Sequence, residues 1–164
     1  DVGRILFTQI LQKSMTTFEE REVLGKTTID IISQASGEDG FAFEYLWMWA
    51  RMSRTLDDIF DADHEVTREE LLEIFEYMFV KMPTNPFFTE YKDVLTSQHV
   101  SMYNAWMAAN AWEQGDEVDQ IYAHVWRDAH HEVVPIVALL TQGYEKMKEI
   151  SDLIRKTFKK KLGD

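Results

Sequence analysis

This sequence predicts an all-α bundle, on three grounds. Apolar residues recur at three- and four-residue intervals along most of the chain, the spacing of one helix face. Ala, Leu, Met, Glu and Lys are frequent, and all are good helix formers. Only 7 Gly and 3 Pro occur in 164 residues, too few for the many tight turns of a sandwich or barrel. The expected architecture is one domain over 1–164, a helical bundle of about five to seven helices. A chain of this length buries roughly 70% of its unfolded surface, so it needs neither a disulfide nor a metal merely to fold.

The elements follow in order. Residues 2–35 carry a helical pattern through Val2, Ile5, Leu6, Ile10 and Leu11, then Leu24, Ile29, Ile31 and Ile32. Thr17 with Glu20 reads as a capping box inside it. Gly37 to Gly40 marks a turn. A second helix over 41–60 is rich in aromatics and apolar on most sides, which suits a central place in a bundle. Thr67 with Glu70 opens a third helix, reaching about Met82, with Leu71, Leu72, Phe75, Met78 and Phe79 as its expected core stripe. Pro83 and Pro86 bracket a short connection. Residues 88–114 read as helical, in one piece or two, and Gly115 ends them. Residues 116–143 form a strong helix expected to bend at Pro135. A last helix covers 144–161. No repeat, low-complexity stretch or linker interrupts this pattern.

Charge and composition narrow the function. The net charge is −12, which works against a general nucleic-acid role, since phosphate contacts need a cationic face. It suits a protein that binds cations. There are no cysteines, which excludes disulfides, thiolate catalysis and thiolate-held metals. This usage and the lack of a secretory leader pattern point to the cytoplasm. The longest apolar run, 133–140, contains Pro135 and is far too short to be a transmembrane segment.

The most pronounced chemical feature is the group Asp57, Asp58, Asp61 and Asp63 near the end of the aromatic helix. Asp57 and Asp61 share a face, and Asp58 lies about 100° around. Acidic groups at a helix C-terminus oppose the macrodipole, and a bound cation would relieve that conflict. A helix-borne D-D-x-x-D suits Mg²⁺, which takes carboxylates, waters and substrate phosphates as ligands. The plainer reading is a solvated helix end with Asp58 paired to Arg54, four residues earlier.

Segment 45–82 resembles the first aspartate-rich region of class I isoprenoid synthases, in the squalene and phytoene synthase branch. Arg54, Asp57, Asp58, Asp61 and Asp63 carry the resemblance, after an aromatic helix and before the helix capped by Thr67. The resemblance covers about a quarter of the chain. It implies an isoprenoid-synthase-like helical core and a Mg²⁺-dependent site for a diphosphate. Asp57, Asp58 and Asp61 would then be metal ligands, and Arg54 a diphosphate or salt-bridge partner.

A second stripe lies on the 116–143 helix. His124, Asp128 and His131 stand at i, i+4 and i+7, with Tyr122, Arg127 and Glu132 nearby. His and Asp at this spacing can bind metal or serve as acid and base. In the leading reading Asp128, Glu132 or His131 faces the aspartate group, and Arg127 or Arg54 neutralises diphosphate. Tyr45, Trp49 and Trp106 wall an apolar pocket, and a homodimer would complete the site. An alternative pairs Asp61 and His64 with Asp128 and His131 as two carboxylate-x-x-His motifs of a di-iron bundle, with Glu19, Glu22 or Glu44 adding carboxylates. The plain reading makes His130, His131 and Glu132 an exposed polar face.

Other features complete the set. Glu70 with Glu73, and Glu113 with Asp116, resemble weakly the carboxylate pairs of all-α nucleotide pyrophosphohydrolases. Tyr103, Asn104, Trp106, Asn110 and Trp112 form an aromatic–amide helix, expected to be core. The cationic run from Lys146 to Lys161 suits an anionic membrane or a protein partner, or simply a docked terminal helix with its cations at the C-terminal end. A rival from another class stands beside the Mg²⁺–diphosphate enzyme: a non-catalytic helical interaction protein, an adaptor or inhibitor.

Overall fold

The computed structural model describes the backbone of residues 19–61 and 65–158 and the side chains of 26–60 and 65–158. Every regular element among them is helical, and seven helices have nine residues or more. The capping box expected at Thr17 lies outside the described residues. The chain divides into two compact units, Asp1–Tyr91 and Lys92–Asp164. No helix among the described residues is long and apolar enough to cross a membrane.

In the first unit, α1 (Glu19–Ser36) stops at Gly37, whose φ is 59°. Its N–H donates to the Ser33 carbonyl at 3.1 Å. Glycine takes this left-handed turn without the Cβ clash other residues meet. Asp39 then caps α2 (Gly40–Asp61), its Oδ1 accepting the N–H groups of Phe41 and Ala42 at 2.9 and 3.0 Å. The turn read from Gly37 and Gly40 is thus a C-cap followed at once by an N-cap. The two helices close on Ile31, Ile32, Ala35, Ala42, Phe43 and Leu46, all buried.

The capping box at Thr67 forms as expected. Thr67 Oγ1 accepts from Glu70 N–H at 3.2 Å, and the Glu70 carboxylate accepts from Thr67 N–H at 2.9 Å. It opens α3 (Arg68–Glu76), which packs on α2. A π turn, Tyr77–Lys81, and a helical turn, Met82–Thr84, continue it. Tyr77 and Met82 are both buried, five residues apart, and Met82 N–H donates to the Tyr77 carbonyl. An α-helix would swing one of them out of the core, and the wider turn keeps both in. Asn85 breaks the run and caps α4 (Pro86–Glu90), with Pro86 in the first turn, where its missing N–H costs nothing.

The second unit begins after Tyr91. The stretch 88–114 is therefore two pieces, the end of α4 and all of α5 (Lys92–Trp112). Asp116 caps α6 (Glu117–Arg127) in a box closed by Asp119. The long helix expected over 116–143 breaks earlier than Pro135. Asp128–Glu132 is a 3-10 segment, and α7 (Val133–Gln142) restarts with buried Pro135 in its first turn. The physical reason is that proline is harmless in a first turn and disruptive in an interior. Gly143, at φ 92°, ends α7, and α8 (Tyr144–Thr157) packs back on α7 through Ile150 and Ile154. Leu95, Met102, Trp106, Ala109, Ala123, Val133, Val137 and Ala138 complete this unit's core.

Candidate functional site

The aspartate group sits at the C-terminal end of α2. Asp58 is buried, and its carboxylate meets the Arg54 guanidinium at 2.9 Å. The i, i+4 pair relieves the clash with the macrodipole that a bound cation would otherwise relieve. Asp57 is half-buried and has no ion pair among the described residues. The Asp61 side chain, and all of Asp63 and His64, lie outside them. Among the described residues no three His, Asp or Glu side chains gather as a metal site would require.

Asp128, His131 and Glu132 belong to the other unit, and the 3-10 segment changes their geometry. In 3-10 winding i and i+3 eclipse, so Asp128 and His131 come within 4.0 Å, while the stripe that an α-helix would extend back to His124 is interrupted. The His131 ring stacks on Phe158, with centroids 4.6 Å apart and 11° between planes. Glu132 accepts from Arg155 at 2.7 Å, tying the 3-10 segment to α8. Arg127 donates to Glu113 at 2.8 Å and to Asn110 at 3.2 Å, tying α6 to α5. Glu132 and Arg127 thus each hold one helical element to another, while Asp128 pairs within its own segment.

The residues expected to wall a pocket divide likewise. Tyr45 is fully buried in the first unit, its ring 5.8 Å from Phe87 and 6.0 Å from Phe88. Burial pushes its phenol pKa well above the ordinary value. Trp49 is half-buried in the same unit, and Trp106 is core in the second. The four carboxylates of the pyrophosphohydrolase resemblance are each engaged. Glu70 and Asp116 are caps, Glu113 pairs with Arg127, and Glu73 binds Arg51. Glu44 accepts from Asn85 at 3.0 Å. On α8, Lys146, Lys148, Arg155 and Lys156 all pair with carboxylates, as a docked helix would.

A row of large apolar side chains lies exposed on α3 and the π turn, and it corrects the expected core stripe. Leu71, Leu72, Phe75, Met78 and Phe79 face solvent, from 37% exposure at Leu71 to 70% at Phe79, and Val80 joins them. Phe75 and Phe79 stack on each other, with centroids 5.9 Å apart. The side that packs on α2 carries a polar network beside half-buried Ile74 and buried Tyr77. Arg51 donates to Glu73 at 2.9 Å, Tyr77 donates to the other Glu73 oxygen at 2.6 Å, and Trp47 hydrogen-bonds the Tyr77 hydroxyl. Burial works to raise the Glu73 pKa. The hydrogen bonds from Tyr77 and Arg51 and the charges of Arg51 and Lys81 outweigh it and hold the carboxyl below its usual range. Apart from half-buried Ile74 and buried Tyr77 and Met82, the large apolar side chains of α3 and the turns after it thus lie outward.

The apolar stripe was visible in the sequence, but its direction was not, because Arg51 lies 22 residues from Glu73. Among ordinary signals only the i, i+4 spacing of Glu73 and Tyr77 hinted at the inward network. The π turn enlarges the outward face. With Tyr77 and Met82 held inward, Met78, Phe79 and Val80 are all exposed. Ile59 and Phe60, at the end of α2, are also exposed, at 49% and 55%. No protein-family model, curated protein or solved structure matches this chain.

Proposed function

We propose that this chain is a non-catalytic helical interaction module that docks a partner protein on the outward face of α3 and its π turn. The outward apolar row is the observation that carries the reading. Isolated exposed apolar residues are ordinary, but a contiguous row of large ones marks an interaction surface. Here Leu71, Leu72, Phe75, Met78 and Phe79 form such a row on one helix. A helix with an apolar face of this period recognises its partner through anchors at i, i+3, i+4 and i+7. The test is the pair Phe75→Ser and Phe79→Ser, measured by thermal melting and by fluorescence of a hydrophobic dye. A docking face predicts stability unchanged within about 0.5 kcal/mol, as for surface positions, and weaker dye binding. A loss of about 3–5 kcal/mol, the cost of truncating core aromatics, would make these residues core and end the reading.

A second reading rests on Asp57, which lacks an ion pair among the described residues, and on Asp61 one turn later. In it the two hold Mg²⁺ for a diphosphate group, and Asp58 joins them when Arg54 turns to the phosphates. Melting with and without Mg²⁺ and pyrophosphate tests it. A ligand at a hundredfold excess over its Kd stabilises by about 2.7 kcal/mol. The expected rise needs both ligands and disappears in Asp57→Asn. No rise in the native protein removes this reading and leaves the interaction module untouched.

A further inference from the structure

The outward face of α3 has an edge as well as a centre, and the edge is acidic. Residues 65–81 contain five acids, Glu65, Glu69, Glu70, Glu73 and Glu76, against two bases, Arg68 and Lys81. Glu70 is occupied in its cap and Glu73 in the inward network. Glu65, Glu69 and Glu76 are exposed. Glu69 and Glu76 are seven residues apart, two helical turns, and so line one side of the apolar row. Glu76 has Lys81 at 3.3 Å, a surface pair that a competing cation can exchange. Glu69 has no ion pair among the described residues.

We infer that the partner of this face is an amphipathic helix whose apolar stripe is flanked by Lys or Arg. The inference rests on the interaction reading above and names its partner. The apolar row supplies contact area. The carboxylates at its edge supply selectivity, because complementary charge favours the right partner and like charge penalises the wrong one. The same charges argue against the other occupants. Two copies of a chain carrying −12 repel on approach. An anionic membrane meets the acidic edge unfavourably. The π turn broadens the face where Met78, Phe79 and Val80 emerge together, giving the partner helix a wide apolar seat.

The experiment uses the full chain and three labelled peptides of equal length, read by fluorescence anisotropy. One is an amphipathic Leu/Lys helix, one carries Glu in place of Lys, and one carries Ser in place of Leu. The expected result is saturable binding of the Leu/Lys peptide at least tenfold tighter than either control. Glu69→Lys with Glu76→Lys should weaken that binding at least tenfold and reverse the preference toward the Leu/Glu peptide. Phe75→Ser with Phe79→Ser should abolish binding of both. Circular dichroism verifies that each variant keeps its helix content, and Leu72→Glu serves as a second face variant if one pair fails to fold.

Equal binding of the Leu/Lys and Leu/Glu peptides, lost in the Phe variant, overturns the basic partner while keeping the docking face. Equal binding of the Ser/Lys peptide overturns the inference by showing attraction to net charge alone. Failure of every peptide to bind also overturns it. If self-association or adsorption to phosphatidylcholine vesicles is then lost in the Phe variant, the occupant is a second copy or a lipid surface. If the Phe variant changes none of these, the docking reading fails as well.

Discussion

Asn85 shows how one side chain organises the first unit. It is buried at 2% exposure, and three bonds satisfy it. Its Oδ1 accepts Phe88 N–H at 2.9 Å, and its Nδ2 donates to the Phe41 carbonyl at 3.1 Å and to Glu44 at 3.0 Å. One residue therefore caps α4 and fastens it to α2. Asn85→Ala removes the cap and leaves the part-buried Phe41 carbonyl and Glu44 carboxylate short of a donor. Losses of that kind cost about 1–3 kcal/mol, which a urea melt would read as a lower midpoint at unchanged slope. An unchanged midpoint would mean that water replaces the side chain fully. The sequence located the Pro83–Pro86 connection but not this role, since a buried asparagine looks like any turn asparagine until its partners 44 and 41 residues away are known.

Local chemistry was legible at the level of elements. The Thr67 and Asp116 caps, the Gly37 stop and the Gly143 end all lie where short-range rules place such signals. Gly115 provides an element-scale test. A Cβ there would collide with the Asp119 side chain, including the Asp119 Cβ at 2.6 Å. That aspartate closes the α6 capping box. Gly115→Ala should therefore loosen the first turn of α6 and cost about 1 kcal/mol, the scale of a lost cap. Circular dichroism melts check it, and Asp119→Ala should leave the alanine variant with little further loss. Pro135 was legible as a disturbance, but the break falls upstream because α7 restarts so that the proline occupies a first turn. The outward turn of the α3 apolar row lay beyond any element-level rule. Amphipathicity reports that a helix has an apolar face and leaves open what covers it.

For the molecule as a whole, acid stability separates the two units along the pH axis. Burial pushes the His99 imidazole in the second unit down to about 4 from its ordinary 6.5. The unfolded chain then takes up the proton first, so this contribution is complete above pH 6.5 and drains away as pH falls toward 4. Glu73 in the first unit is depressed below its ordinary 4.5, so its contribution holds above that value and is lost only as pH falls further. His99→Gln should flatten the loss of melting temperature between pH 7 and pH 5, while Glu73→Gln should leave that interval unchanged and flatten the loss below it. Identical pH profiles for native protein and His99→Gln would remove the histidine from the account.

From the sequence alone came the all-helical class, several helix starts and stops and the aspartate group at the end of α2, because periodicity, capping and turn chemistry act over a few residues. Division at Tyr91 was not visible, because two helices meet there without a linker for composition to mark. Tertiary structure decided which side of each helix is inside and what each charge touches. It gave Asp58 to Arg54, Glu132 to Arg155 and Glu73 to Arg51. It also left Phe75 and Phe79 facing water. Burial and ion pairing depend on neighbours brought from elsewhere in the chain, and their energies are settled only when those neighbours arrive.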